Sequence, residues 1–145
     1  MSALQAGKIV KQLLTARERQ FPVAAATVCW EGGMVALSGS GSAAVAAPPT
    51  AAVGLKIVGV ATGNADNRLG AAGAINVDVA SDAALMNNSA TDPVGLGDIG
   101  SPCYAADDNT VSKTGAPASG SPTQSQAGVV WNIDPSGAVW VKFIN

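Results

Sequence analysis

Side chains that could do catalytic chemistry are few in this sequence. Its 145 residues include no histidine, so a Ser–His or Cys–His nucleophile pair is excluded and the commonest general base is missing. Asp107 and Asp108 are adjacent, so on a strand their carboxylates would point to opposite faces and could not act as a pair. In a turn they would instead accept hydrogen bonds from backbone amides. We therefore predict that the protein is not an enzyme.

Motifs for binding metals, phosphates or nucleic acids are equally weak. The run Asp107–Asn109 lacks the alternating ligands and the distal glutamate of a calcium loop. Gly39 and Gly41 have the spacing of a phosphate-binding loop, but the third glycine, the lysine and the following helix are missing. No aromatic residue lies among the basic residues, and most of the chain is acidic. The sequence therefore predicts no metal, no cofactor and no nucleic-acid partner.

The two cysteines are Cys29 and Cys103. Two are too few for a disulfide scaffold, and these lie too far apart in sequence for a zinc motif. Both occur in apolar runs that resemble strands. We predict two buried free thiols rather than a disulfide bridge.

Composition and punctuation predict an all-β protein. Charged residues make up only 12% of the chain, and short apolar runs alternate with Gly- and Pro-rich stretches, as in a small β-sandwich or barrel of the jelly-roll or β-tulip type. Residues 94–100 are expected to hold one helical turn, whereas residues 62–73 and 115–126 are expected to be surface loops. The predicted strands are Val23–Trp30, Met34–Leu37, Ala43–Ala47, Val53–Ala61, Ile75–Val79, Leu85–Met86, Cys103–Ala106, Thr110–Lys113 and a closing hairpin.

The closing hairpin has the strongest pattern in the chain. Pro135 and Gly137 suit a type I turn followed by a left-handed residue, which places Asp134 opposite Ala138. That register predicts one core face, formed by Val129, Trp131, Ile133, Val139, Val141 and Phe143. Trp140 falls on the other face, opposite Asn132, and needs a cover. Either the chain's own N-terminal segment or a second sheet covers it, or a neighbouring subunit does.

The first 20 residues differ in charge from the rest of the chain. They hold four basic residues and one acidic residue, a balance of +3, whereas residues 21–145 hold four basic and nine acidic residues, a balance of −5. We therefore divide the chain into an N-terminal arm, residues 1–20, and a single β-rich domain, residues 21–145. Apolar residues in the arm have the spacing of one face of a short helix, which is marginal alone in water.

We therefore expect the arm, extended or briefly helical, to become ordered only against another surface. A neighbouring copy, a capsid subunit and the arm's own sheet are the candidate targets. The predicted interface residues are Lys8, Ile9, Val10, Lys11, Leu13, Leu14, Arg17, Arg19 and Trp140.

A targeting signal is weakly imitated by residues 21–30. A secretory signal would place its apolar run close behind a basic start, but here 20 mostly polar residues precede the run and Pro22 interrupts it. The run is also too short to span a bilayer. We predict neither secretion nor a membrane partner.

Eight short segments, in one order along the chain, resemble the capsid cement or decoration proteins of tailed bacteriophages. They cover roughly residues 21 to 143, whereas the first 20 residues show little similarity and the stretch 80–84 is richer in alanine. The segments are Phe21–Ala24 with Gly33–Leu37, Gly54–Ala61, Asn88–Val94, Asp98–Gly100 through Cys103–Tyr104, Asp107–Val111, and Ala127–Val130 with Gly137–Val141.

This resemblance implies a structural virion protein without catalysis. Such a protein is made in the host cytoplasm, binds the outer surface of the capsid and cements adjacent major capsid subunits, assembling with itself as a dimer or trimer. The alternative from another class is a ligand- or receptor-binding β module of a virion fibre or tail. There Trp30, Tyr104 or Trp140 would stack on the ligand.

Overall fold

Short β-strands form almost all of the regular structure. The computed structural model describes residues 18–116 and 120–145, and within these ranges it contains no α-helix, only two 3-10 turns at Gly41–Ala43 and Leu96–Asp98. The prediction of an all-β protein is confirmed. In chain order the strands are β1 Glu18–Pro22, β2 Thr27–Cys29, β3 Met34–Ser38, β4 Val45–Ala47, β5 Lys56–Ala61, β6 Ala65–Asn67, β7 Asn76–Ala80, β8 Ala84–Asn88, β9 Pro102–Ala105, β10 Thr110–Ser112, β11 Ser125–Ile133 and β12 Val139–Phe143.

The strands form three sheets. One has five strands in the order β1-β7-β5-β3-β4, the second is a closed barrel in the order β10-β8-β12-β11-β9, and the third pairs β2 with β6. The pairing of β10 with β8 is parallel, and every other pair of named strands is antiparallel. A barrel was one of the two architectures that we predicted.

Two hydrophobic cores lie on opposite faces of β3 and β5. Met34 and Ile57 pack into the core of the barrel, whereas their neighbours Val35 and Val58 pack into the core of the five-stranded sheet. Successive side chains of a strand point to opposite faces, so a strand buried on both faces is apolar throughout. This arrangement explains the nearly continuous apolar run that ends at Ala61.

Three local predictions are confirmed. In β7, Val77 and Val79 are buried while Asp78 is exposed, as their alternation predicts. The helical turn expected within residues 94–100 is the 3-10 turn Leu96–Asp98. Residues 38–42 connect β3 to its antiparallel neighbour β4 as a hairpin loop.

The beginning of the domain differs from the prediction. The first strand, β1, starts at Glu18, inside the segment assigned to the arm, and pairs with β7. The strand predicted at 23–30 is broken, because Ala26 has a left-handed backbone with φ of 55° and only Thr27–Cys29 form a strand. The predicted loop 62–73 contains β6, which pairs with that strand.

The closing hairpin has the predicted turn but a different register beyond it. Gly137 has a positive φ of 92°, and Asp134 receives a backbone hydrogen bond from Gly137 and donates one to Ala138. A β-bulge between Val130 and Asn132 then adds one residue to β11. The bulge turns Trp131 outward and Val130 into the core, so the prediction that Val129 and Trp131 face the core is wrong. Val139, Val141 and Phe143 are buried as predicted, and Ile133 packs against the same core.

Both cysteines are buried free thiols, as predicted. Burial raises the pKa of the Cys103 thiol to about 12, and burial followed by the charge of Asp108 raises the pKa of Cys29. We therefore expect a thiol reagent at pH 8 to leave the folded protein unmodified and to modify both cysteines after denaturation, because the thiolate is the reactive form. Rapid labelling of either thiol in native protein would contradict this expectation.

The raised thiol pKa values also predict a pH dependence of stability. A buried neutral thiol stabilises the fold below the pKa of the unfolded thiol, about 8.5. That contribution is lost as the pH rises from this value towards the folded pKa of about 12 of Cys103. Stability should therefore decline through this alkaline range.

Candidate functional site

Among the described residues, four of the eight exposed large hydrophobic side chains belong to two surfaces that contain a tryptophan. Trp30 follows the last residue of β2 and Leu69 lies just beyond the last residue of β6, so the two lie towards opposite ends of the two-stranded sheet. With Arg68, whose side chain reaches Trp30, they form what we call the loop surface. Trp131 and Leu85 lie on the outside of the barrel, and with Trp140 they form what we call the tryptophan surface. Exposed apolar groups of this kind often mark interaction sites.

The loop surface is built by the pairing of β2 with β6. Cys29 lies opposite Ala65, so Trp30 leaves β2 close to the start of β6. The guanidinium of Arg68 lies 6.0 Å from the centroid of the Trp30 ring. Leu69 follows and is fully exposed to solvent. Tryptophan and arginine are the residue types that most often dominate binding energy at protein interfaces.

A buried asparagine ties the loop that carries Arg68 and Leu69 to the segment before β2. Asn67 is only 3% exposed, and its side-chain amide donates to the backbone carbonyls of Val23, Ala24 and Ala71 at 3.3, 2.9 and 2.9 Å. A side chain on Gly70 would collide with Asn67, because its Cβ would lie 2.0 Å from the Asn67 Oδ1. These contacts fix the backbone on both sides of Leu69 and so fix the direction of its side chain.

Arg68 is held by its neighbour on the same loop. Its Nε donates to the Asp66 carboxylate at 2.9 Å, and its Nη2 contacts the other carboxylate oxygen at 2.5 Å. This hydrogen bond from Arg68 lowers the pKa of Asp66 to about 2. Asp66 is therefore charged at neutral pH and can pair with Arg68 beside Trp30.

The tryptophan surface lies on β8, β11 and β12. Trp140 pairs with Leu85 on one side and with Asn132 on the other. The bulge in β11 places Trp131 beside them with 61% of its surface exposed, and the Lys142 ammonium lies 5.5 Å from the centroid of its ring. The bulge thus moves a tryptophan from the expected core position to the outside.

Two adjoining clefts run across the tryptophan surface. One has a volume of about 360 Å³ and is lined by Ser81, Asp82, Ala83, Trp131, Lys142 and Phe143. The other has a volume of about 290 Å³ and is lined by Ala83, Trp131, Asn132 and Trp140. Ala83 and Trp131 belong to both clefts, so the two form one continuous depression with a largely apolar floor.

Trp140 is half-buried on the outer face, opposite Asn132, as predicted. In the turn before it, the carboxylate of Asp134 accepts hydrogen bonds from the side chain and backbone of Ser136. These bonds, that from the Ser136 hydroxyl first, lower the pKa of Asp134. Trp140 itself lines one of the two clefts.

Arg19 is the other predicted interface residue that the structure describes. It lies in β1, and its guanidinium donates to the backbone carbonyls of Val58 at 2.8 Å and Asn145 at 2.6 Å. The guanidinium also lies 5.3 Å from the centroid of the Phe21 ring. Arg19 thus ties the first strand to its own domain rather than belonging to a free arm. The remaining predicted interface residues, Lys8, Ile9, Val10, Lys11, Leu13, Leu14 and Arg17, lie outside the described residues.

Tyr104 and the turn at Asp107–Asn109 make contacts within the fold. The Tyr104 ring packs so closely under Gly115 that a Cβ there would lie 2.7 Å from it. Asp107 accepts a hydrogen bond from the backbone amide of Asn109 at 2.8 Å, as predicted for a turn. The described residues contain no group of three potential metal ligands, and none of their helices is long and apolar enough to cross a membrane.

In comparisons with known proteins, no protein family, no curated protein and no solved structure matches the chain.

Proposed function

We propose that this protein is a structural virion protein that binds the outer surface of a tailed-phage capsid and cements adjacent major capsid subunits. The ordered sequence resemblance over residues 21 to 143 is the observation that carries the proposal. The proposal includes self-association as a dimer or trimer. The protein is then made in the host cytoplasm and located in the virion.

The position of the resembling segments in the fold supports this proposal. Three of them coincide with framework elements: Gly33–Leu37 covers most of β3 and the residue before it, Gly54–Ala61 contains β5, and Ala127–Val130 lies in β11. These strands supply residues to both cores. In these three segments the resemblance concerns residues that determine the fold.

We assign the contact with the shell to the loop surface. Leu69 is fully exposed although its backbone is held by Asn67, and Arg68 next to it reaches Trp30, so the same surface carries two anchor types. A rigid loop loses little conformational entropy on binding. Leu69 on such a loop suits insertion into a pocket between two capsid subunits.

Substitution of Leu69 tests this assignment. We expect Leu69→Ser to weaken binding of the purified protein to shells that lack it by about 2 kcal/mol, roughly thirtyfold in Kd. Leu96→Ser is the matched control, because Leu96 is also an exposed leucine, at 69%, but lies on the 3-10 turn before β9. Co-sedimentation of protein with shells over a range of concentrations gives both affinities.

Three results would count against the proposal. Equal losses for the two variants would show that the loop surface is not the contact. Wild-type protein that fails to bind shells at all would contradict the cement function itself and favour the fibre or tail module. In a separate unfolding experiment, a midpoint lowered only in Leu69→Ser would mean that the variant binds less because it is less stable, not because a contact is lost.

A further inference from the structure

The chain enters the described domain directly beside the tryptophan surface. Glu18, the first described residue, pairs with Ala80, the last residue of β7. The next three residues of the chain after Ala80 are Ser81, Asp82 and Ala83, and all three line the larger cleft together with Trp131. Glu18 therefore lies close to the cleft, because its partner Ala80 directly precedes the lining residue Ser81.

Within the described residues, the tryptophan surface is more exposed than its composition suits. Trp131 is 61% and Leu85 is 40% exposed, and the bulge in β11 has turned Trp131 away from the core. Covering such apolar area is favourable by about 25 cal/mol per Å². Bulges are often found where a strand re-aims a side chain for a purpose.

The first 17 residues have the chemistry to cover this surface. Their apolar residues Ile9, Val10, Leu13 and Leu14 lie on one predicted helical face, and Leu4 falls on the opposite side. Leu14 is four residues before Glu18, the first residue of β1. An extended connection of this length lets the Leu14 side chain reach about 13 Å from Glu18. That reach begins at the edge of the larger cleft.

We propose that residues 9–14 pack into the two clefts of the tryptophan surface of the same molecule. The sequence leaves a neighbouring copy, a capsid subunit and the chain's own sheet as targets for this segment. The position of Glu18 beside the cleft favours the surface of the same molecule as the target. The short connection to the segment then gives an effective concentration in the millimolar range. The inference does not depend on binding to a shell.

Paramagnetic relaxation in the full-length protein tests the proposal directly. The three tryptophans give three indole N–H signals, and a spin label on Ala6→Cys is selective because Cys29 and Cys103 are buried. We expect the label to broaden the signals of Trp131 and Trp140 and to leave that of Trp30 sharp. In a mixture of spin-labelled molecules and separate ¹⁵N-labelled molecules, all three signals should stay sharp.

Two matched substitutions identify the side chains responsible. In the spin-labelled protein, Leu14→Ser should reduce the broadening of the Trp131 and Trp140 signals by at least about half, because the leucine side chain supplies much of the apolar area that docking would bury. Leu4→Ser removes a leucine from the opposite side of the predicted helix and should leave the broadening unchanged. Equal effects of the two variants would contradict docking through this face.

Two further results would overturn the proposal. Sharp Trp131 and Trp140 signals in the sample whose molecules all carry both the spin label and ¹⁵N would mean that the segment does not dock on this surface. Broadening that appears in the mixed sample would mean that a second copy supplies the segment. Because the readout requires no shell, failure here leaves the proposed capsid function to its own test.

Discussion

Replacing Gly59 by alanine should destabilise the protein by about 3 kcal/mol or more, which combines backbone strain with a steric clash. Gly59 has a φ of 141°, and a Cβ there would lie 2.2 Å from the carbonyl oxygen of Ala80 in the neighbouring strand. Both partners are backbone atoms of packed strands, so neither can turn aside. Urea denaturation of the variant and the wild type measures the difference in the free energy of unfolding.

Gly63→Ala is the matched control for this prediction. A Cβ on Gly63 would meet no heavy atom within 4 Å, and this glycine has no positive φ, so the same added methyl group should change stability by less than about 1 kcal/mol. Equal stability of Gly59→Ala and Gly63→Ala would mean that β5 and β7 can separate without cost. Such a result would contradict the tight pairing described here.

The surroundings of Gly59 separate the features that a sequence pattern predicts, namely which faces of a strand are buried, from those that it does not predict, namely bulges. The apolar run of β5 predicts burial on both faces, and the alternation in β7 predicts one buried face; both patterns survive because they record the environment of each side chain. The pairing adds a bulge in β5, since Val35 pairs with Gly59 but Ala36 pairs with Ile57. A bulge depends on the partner strand, so a pattern read along one strand does not contain it.

The prediction that Trp131 faces the core is wrong for the same reason. Strict alternation through Val129, Trp131 and Ile133 predicts a common face, and the turn at Gly137 gives the correct register only as far as the bulge. One extra residue then exchanges the two faces for the remainder of the strand. Trp140 lies between the turn and the bulge, and its predicted position was right.

Buried polar residues were the other features that composition concealed. The small polar residues of 115–126 predict a solvated loop, but Gln124 and Ser125 are buried. Ser112 donates to Gln124 at 2.5 Å, and the Ser125 hydroxyl donates to the carbonyl of Ala52 at 2.6 Å. Such residues become core residues only through distant partners, which a local pattern does not specify.

From the sequence, Trp30 and Tyr104 were expected only as residues that would stack on a ligand in the alternative function, and Trp140 was expected there and as an interface residue. Leu69 lies in a Gly-rich stretch that predicts only a loop. The orientation of Leu69 depends on Asn67, whose partners Val23 and Ala24 are more than 40 residues earlier in the chain. In hindsight, the signal in the sequence is a leucine between Arg68 and Gly70, just after β6. The last residue of that strand, Asn67, lies on its buried face.

Asn67 is therefore the residue whose replacement should have the second large effect. In Asn67→Asp, a carboxylate oxygen replaces the amide that donates to three backbone carbonyls. A buried carboxylate facing carbonyl oxygens has no compensating partner, and we expect a loss of stability of about 3 to 5 kcal/mol at pH 7. Thermal or urea unfolding at constant ionic strength measures it.

The pH dependence of this loss distinguishes a buried charge from a simple loss of hydrogen bonds. Burial and the facing carbonyls should raise the folded-state pKa of the introduced carboxyl above its unfolded value of about 3.9. Its destabilising effect should then be smallest below about pH 4, grow as the pH rises through the folded-state pKa, and level off above it.

Asn64→Asp provides the control in the same stretch of chain. The Asn64 side-chain oxygen accepts a hydrogen bond from the backbone amide of Glu31 at 2.9 Å on the exposed surface, and a carboxylate can accept the same bond. This variant should lose little stability and show little dependence on pH between 4 and 7. If Asn67→Asp behaved in the same way, the amide of Asn67 would not be what ties the loop of Leu69 to the segment before β2, and the rigid presentation of Leu69 would need another cause.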